Sequence, residues 1–343
     1  MLRPRQRRRI WSGSDASVST VRELDIFEKS IPRHNYVFLH AGAGIPKKRH
    51  HHANGFSNGF ANKEERKPLA PPIEVDESRF FGSVQVGEDS FYHRADSLGV
   101  ADGVGGWHGE PHASPALYAR MLMHYAYLEL EKYDNIECDE FADYFNVEPV
   151  EILQRSYENT RIEAKKMGIV GSSTACIAIL RDDELRIANL GDCGVSVIRQ
   201  NDFIFRSEEQ QHSFNYPYQL GTYSTDTPRD AQTFRVKVQK GDIVIVASDG
   251  IYDNLFNEDI LEEVVKHIGP NNARPYHKVE PQILCDALAH RAQSVSQDTR
   301  NLNSPFQERA MQQGIYYQGG KADDISVLVG IVLENEDTPD RRL

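Results

Sequence analysis

Three apolar runs in this chain end on, or start from, carboxylates. Leu98-Gly-Val-Ala-Asp-Gly103 ends on Asp102, with more glycines before Trp107, and Ile243-Val-Ile-Val-Ala-Ser-Asp-Gly250 ends on Asp249. Asp323-Asp324 stands directly before Ile325-Ser-Val-Leu-Val-Gly-Ile-Val-Leu333, and Glu88-Asp89 shortly precedes the first run. One Asp-Gly alone signals no more than a turn, but three buried strands with acids at their ends describe a site. Glycine after the acid lets backbone approach a ligand closely, so the Gly103 carbonyl joins Asp102 as a candidate donor. Carboxylates and a carbonyl are hard oxygen ligands suited to Mg²⁺ or Mn²⁺, and no grouped Cys or His at ligand spacing argues for zinc. Two such ions bridged by Asp102 would lower the pKa of a shared water and neutralise charge on a transferring group, which is the chemistry of phosphate-ester hydrolysis.

A second phosphatase signal competes with this one. Cys193-Gly-Val-Ser-Val-Ile-Arg199 has the C-x₅-R spacing of cysteine-dependent phosphatases. That chemistry needs a phosphate-cradling loop and a depressed thiol pKa. Val195, Val197 and Ile198 are strand formers instead, and Asp192 would raise the pKa, so the cysteine reading is rejected.

The elements that position the acids follow from periodicity. Ser114 is an N-cap with Pro115 at the first helical position, and Leu117, Met121, Tyr125 and Leu128 share one helical face. Val150, Leu153, Tyr157, Thr160, Ala164 and Met167 mark a second helix that Gly168 stops. Strands are expected at 173–180, 185–190, 194–199 and 203–206 as an antiparallel meander, followed by a long surface loop over 207–232. Strands at 233–238 and 243–248, helices near 258–268 and 281–295, and the strand from Ile325 complete the pattern. Elements in blocks predict an α+β fold with an antiparallel core.

The net charge of −12 over 343 residues divides unevenly: residues 1–72 carry 14 Lys+Arg against 6 Asp+Glu (net +8), and the rest carry 25 against 45 (net −20). The acidic part disfavours nucleic acid, and with it a metal-dependent nuclease, while suiting multivalent cations. No apolar stretch is long enough for a membrane helix, and the four dispersed cysteines fit a reducing compartment. Residues 1–22 hold six arginines, several serines and one acid, the composition of a mitochondrial transit peptide; a basic tail or a nuclear address, which Lys47-Lys-Arg-His-His-His52 also fits, is the alternative. Residues 53–72 read as linker. The expected organisation is therefore a basic, mostly disordered segment over 1–72, a globular domain over 73–334 and a polar tail over 335–343.

Taken together, Gly87-Glu-Asp89, Val100-Ala-Asp-Gly-Val-Gly-Gly106, Gly171-Ser-Ser-Thr-Ala175, Ala188-Asn-Leu-Gly-Asp192, Ala247-Ser-Asp-Gly250 and Asp323-Asp324 occur in an order and spacing that resembles the metal-dependent serine/threonine protein phosphatases of type 2C. The resemblance covers about residues 80–333 and, through Val-Gly-Gly-Trp, is most similar to the mitochondrial branch. It implies two stacked antiparallel sheets flanked by helices and two Mn²⁺ or Mg²⁺ ions. Asp102 would bridge both ions, the Gly103 carbonyl would bind one, Asp249 and Asp324 the other, and Glu88 and Asp89 would act through metal-bound water. Asp192 is expected to stabilise a turn. It further implies a monomer acting on phosphoproteins in the mitochondrial matrix. Two positions depart from the pattern: Val84 stands where relatives carry a phosphate-anchoring arginine, and Val104 where they carry a histidine proposed as general acid. A catalytically inactive scaffold on the same fold is the rival reading. The retained acids count against it, because clustered carboxylates repel one another unless cations offset the charge.

Overall fold

The computed structural model of the chain describes residues 35–48, 77–107, 110–269, 279–298 and 300–335. β1 (Tyr36–Ile45), β15 (Ile325–Glu334), β14 (Ile243–Ala247), β8 (Gly194–Arg199) and β9 (Asp202–Arg206) form a five-stranded sheet in that order. β13 (Gln232–Lys237), β7 (Glu184–Leu190), β6 (Ala175–Arg181), β4 (Ser97–Asp102), β3 (Asp89–His93) and β2 (Val84–Val86) form a six-stranded one. Every pairing is antiparallel.

Side chains alternate across each sheet, and the alternation builds the layers. On β6, Cys176, Ala178 and Leu180 face the other sheet, where they meet Val244 and Val246 of β14 and Leu328 of β15. The intervening Ala175, Ile177 and Ile179 pack under α1 (Pro115–Asp134) and α2 (Pro149–Met167). Ile243, Ile245 and Ala247 of β14 turn outward to α4 (Asn257–Ile268) and α5 (Pro281–Gln297). The result is an α+β sandwich of four layers: helices, sheet, sheet, helices. Both predicted helix boundaries on α1 and α2 rest on local chemistry. The Leu117 N–H donates to Ser114 Oγ at 3.4 Å, and Gly168 ends α2 at a φ of +67°. A further helix, α6 (Pro305–Gln312), lies outside the expected ones; it opens on Ser304, whose hydroxyl accepts from the Gln307 N–H.

Two expectations are corrected. The folded unit does not begin near Ile73, because β1 pairs along its whole length with β15, from Tyr36 opposite Glu334 to Ile45 opposite Ile325. Gly42 and Gly44 disguise this strand, yet packing requires them small. A Cβ on Gly42 would lie 2.7 Å from Leu328 and 2.8 Å from Phe91, and one on Gly44 would strike Val86. The strands from 173 to 206 are also not one meander. β6 and β7 pair in the six-stranded sheet, and β8 and β9 in the five-stranded one, so residues 191–193 cross between sheets. The expected loop over 207–232 contains two short ladders: β10 (Gln211–Ser213) with β11 (Tyr216–Pro217), and β12 (Leu220–Gly221) with β5 (Ser172–Ser173). The expected transit peptide, the His50–His52 run and the linker over 53–72 lie outside the described residues.

Candidate active site

Antiparallel pairing brings the acids to one end of the sandwich. Asp102, at the end of β4, sits opposite Asp89 at the start of β3, and the β2–β3 turn between Val86 and Asp89 carries Glu88. Ala247, at the end of β14, pairs with both Gly194 at the start of β8 and Val327 near the start of β15. Asp249, the crossing residue Asp192 and Asp323-Asp324 therefore converge on the same edge. Asp249 opens a one-turn helix, α3 (Asp249–Tyr252), where a Cβ on Gly250 would collide with the Asp324 carbonyl. Gly87, at a φ of +62°, likewise has no room for a side chain against the Asp324 carboxylate. The Glu88 N–H consequently donates to Asp324 Oδ2 at 2.9 Å.

One carboxylate oxygen from each of Asp102, Asp192 and Asp249 lies within 4.8 Å of the others. Asp102 is half-buried, whereas Asp192 and Asp249 are buried, and Asp192 Oδ1 and Asp249 Oδ1 have no hydrogen-bond partner among the described residues. Burial raises the Asp102 carboxyl well above the ordinary carboxylate range, with the Asp249 and Asp89 charges adding to it. Burial also raises Asp249, against the opposing charge of Lys321, and pushes Asp192 up to about 7. Asp89 is pushed up to about 8 by burial and then by Asp324. Buried oxygens without partners, on acids that resist ionising alone, are a donor set that fits a hard divalent cation.

Sequence reasoning missed several members of this site. The expectation that Asp192 stabilises a turn misses the place of its oxygen in the acid trio. The reason is the crossing from β7 to β8, which leaves its local Gly-Asp-Cys context unchanged and alters only its neighbours. Two lysines also lie among the acids. Lys321 Nζ is 2.5 Å from Asp249, 2.6 Å from Asp253 and 3.3 Å from Asp323. Burial works against its charge, but these three acids outweigh it and raise its pKa. Lys47, just beyond β1, places Nζ 2.9 Å from Glu88 and 3.3 Å from Asp323, and its N–H donates to Asp324 at 2.8 Å. Asp324 thus holds Lys47 and Glu88 by their backbones, and it is not in the trio with Asp249. The local sequence sets Lys47 in a basic run and not beside acids, whereas Gly319-Gly-Lys-Ala-Asp-Asp324 at least sets Lys321 beside them.

A cleft of about 940 Å³ opens over the acids, lined also by Val104, Trp107, His212, Tyr216 and Tyr223. Trp107 is fixed by its indole N–H, which donates to Ser172 Oγ at 3.1 Å, and packs 5.8 Å from the Tyr223 ring.

Comparison with known proteins agrees with this architecture. The family model for Stage II sporulation protein E (SpoIIE) matches residues 97–330. "Protein phosphatase PTC7 homolog" of Homo sapiens is 36% identical over 268 residues, covering 73% of this chain and 81% of that protein. "Probable protein phosphatase 2C 80" of Arabidopsis thaliana is 34% identical over 249 residues, covering 72% of this chain and 54% of that protein. The chain belongs to the protein phosphatase 2C family. It spans about half the length of the plant protein phosphatase 2C relatives it matches, at 54% and 49%. Among solved structures, the photosystem II phosphatase PBCP superposes with a TM-score of 0.60 at 30% identity, covering 72% of this chain and 92% of that one. The catalytic domain of the phosphatase PstP, solved with two manganese ions, shares the fold at a TM-score of 0.51 and 15% identity, covering 87% of this chain and 99% of that one.

Two details separate this protein phosphatase 2C chain from other phosphatase chemistries and from its own family pattern. Cys193 is 1% exposed, and burial, then Asp102 and Asp192, raise its thiol pKa. Arg199 stands at the far end of the extended β8 strand, bound to Asp242 at 2.7 Å, so C-x₅-R forms no phosphate loop. Val84 is 49% exposed at the edge strand β2 and does not line the cleft; Val104 does line it. Among the described residues that line the cleft, the cations are Lys47 and Lys321, and both are engaged by acids.

Proposed function

We propose that this chain hydrolyses phosphoserine and phosphothreonine esters of proteins with the help of two divalent cations, Mn²⁺ or Mg²⁺, in the mitochondrial matrix. The observation that carries the reading is the convergence of Asp102, Asp192 and Asp249 oxygens within 4.8 Å beneath an open cleft, with Asp192 Oδ1 and Asp249 Oδ1 buried without a partner among the described residues. Bound at these acids, the cations would supply a water of lowered pKa and neutralise charge on the phosphoryl group. We assign Asp102, the Gly103 carbonyl, Asp249, Asp324, Glu88 and Asp89 to holding them, and add Asp192 on the strength of its position. The chain's own contribution is to fix these donors on strand ends, where both sheets restrain them. The Asp102 carbonyl accepts from the Thr174 N–H at 2.9 Å and the Ser173 hydroxyl at 2.9 Å, which holds that backbone while its carboxylate faces the cleft. Lys47 and Lys321 offset part of the mutual repulsion of the acids. Trp107, Tyr216 and Tyr223 on the cleft wall suit the peptide on either side of a phosphorylated residue.

The test is phosphate release from a phosphothreonine peptide by the purified chain with Mn²⁺, with EDTA, and with Asp249→Asn in place of wild type. Turnover that needs Mn²⁺ and disappears in the variant is expected. Turnover indifferent to EDTA would overturn the metal reading, and Mn²⁺ binding without any turnover would favour the inactive scaffold. The location is supported by the Arg-rich, acid-poor residues 1–22. Import of a reporter fused to residues 1–34 checks it, and a diffuse or nuclear reporter would overturn it.

A further inference from the structure

We propose that His212 is the general acid that protonates the departing serine or threonine oxygen, with Asp226 holding the imidazole in the donating form; this rests on the phosphatase reading above. Breaking an alkyl phosphate ester leaves an alkoxide, a leaving group that needs a proton at neutral pH. The charged groups beside the acid trio are already committed. Its central acids form the cation site, and Lys47 and Lys321 are bound to carboxylates. Among the described residues lining the cleft, His212 is the one imidazole.

Its placement is built, not incidental. Gly191, the neighbour of Asp192 in the acid trio, accepts the Gln210 N–H at 2.8 Å and lies against the Tyr218 carbonyl, where a Cβ would come within 2.8 Å. The segment from 210 to 218 is therefore anchored to the rim of the acid site at both ends, with His212 inside it. The imidazole stacks on the Tyr218 ring, with centroids 3.9 Å apart and planes 12° from parallel. Nε2 lies 3.1 and 3.0 Å from the two Asp226 oxygens. Asp226 is itself buried and fixed, accepting the Gln219 N–H at 3.0 Å while its own N–H donates to Ser224 Oγ at 3.1 Å. An ionised carboxylate only accepts, so Nε2 carries a hydrogen and the transferable proton is the one on Nδ1. The side chain keeps 34% of its surface exposed, enough to meet a substrate in the cleft.

The step balances as follows. Water oxygen bonds to phosphorus, the bond from phosphorus to the Ser or Thr oxygen breaks with its electron pair on that oxygen, and the Nδ1 proton moves to it. The products are inorganic phosphate, a neutral hydroxyl side chain and a neutral imidazole still hydrogen-bonded through Nε2 to Asp226. The proton released by the attacking water restores the imidazolium through solvent.

A leaving-group comparison tests the assignment. Wild type, His212→Gln and Asp226→Asn are assayed with Mn²⁺ on a phosphothreonine peptide and on p-nitrophenyl phosphate, whose phenolate departs without a proton. Mn²⁺ binding is followed by calorimetry. In His212→Gln the ratio of kcat on the peptide to kcat on the aryl ester should fall by about 10²-fold or more, the usual worth of a positioned acid. Mn²⁺ binding should be retained. Asp226→Asn should change the same ratio in the same direction by less. Equal losses on both esters, lost Mn²⁺ binding in both variants, or full peptide turnover in His212→Gln would each overturn the role. Wild type that hydrolyses neither ester would instead overturn the phosphatase reading on which it stands.

Discussion

Replacing Asp102 by Asn should make the metal-free protein more stable and the metal-loaded protein less so. Asn matches Asp in shape, and the backbone bonds of residue 102 to Thr174 and Ser173 do not involve the carboxylate. What changes is charge. With oxygens of Asp102, Asp192 and Asp249 within 4.8 Å, a fully ionised pair at that separation repels by roughly 3 kcal/mol at an effective dielectric of about 20. Partial protonation caps this cost, so a gain of about 1–2 kcal/mol is expected in EDTA, which raises Tm by roughly 2–4 °C per kcal/mol. In wild type, Mn²⁺ at about 100 times its Kd adds about 2.7 kcal/mol, because only the folded state gathers the ligands. The variant forfeits most of that gain. Thermal melts in EDTA and in Mn²⁺ at pH 7.5 should therefore rank the two proteins in opposite orders. A variant that melts at or below wild type in EDTA, or one that keeps the full Mn²⁺-dependent rise, refutes the reasoning.

Cys193→Ser should retain turnover and remain sensitive to EDTA, at a stability cost of about 1–2 kcal/mol for a buried thiol 3.2 Å from the Thr174 hydroxyl; a folded, Mn²⁺-binding variant without activity would return the cysteine to the mechanism. A chain starting at Asn35 should fold, whereas one starting at Lys48 loses β1, uncovers β15 and should be insoluble. A monodisperse, Mn²⁺-responsive protein from Lys48 would show β1 dispensable. The half-buried His40, whose Nδ1 lies 2.7 Å from that of His93, has its pKa lowered to about 4 by burial and then by the His93 charge. The unfolded chain takes up this proton near pH 6.5 and the folded one near 4, so the contribution is present above pH 6.5 and is lost as pH falls through that interval. At most it amounts to about 3 kcal/mol. Urea midpoints between pH 6.5 and 4 should fall less steeply in His40→Gln, and an unchanged slope would exclude the histidine pair as a cause.

What could be read from the chain was whatever residues decide among near neighbours. Ser114, Pro115 and Gly168 set helix ends because capping is a matter of one turn. Ile243–Ala247 and Ile325–Glu334 announced themselves as covered strands because β-branched and leucine side chains leave few alternatives. The acids at their ends were visible for the same reason, since a strand that stops on Asp-Gly places that Asp at the end of its sheet wherever the strand lies. Tertiary structure decided the rest. β7 and β8 have the same local period whether they pair with each other or lie in different sheets, and their separation turned Asp192 from a turn residue into a member of the acid trio. β1 was hidden because Gly42 and Gly44 lower its apolar signal, although Leu328, Phe91 and Val86 demand that smallness. Lys47, Lys321 and His212 carry no local pattern that marks them for this site. Each acquires its role from groups elsewhere in the chain: Glu88 and Asp323 for Lys47, Asp249 for Lys321, and Asp226 with Tyr218 for His212. Hydrogen bonds and charges act through space, over a few ångströms, and only folding brings such residues within that range.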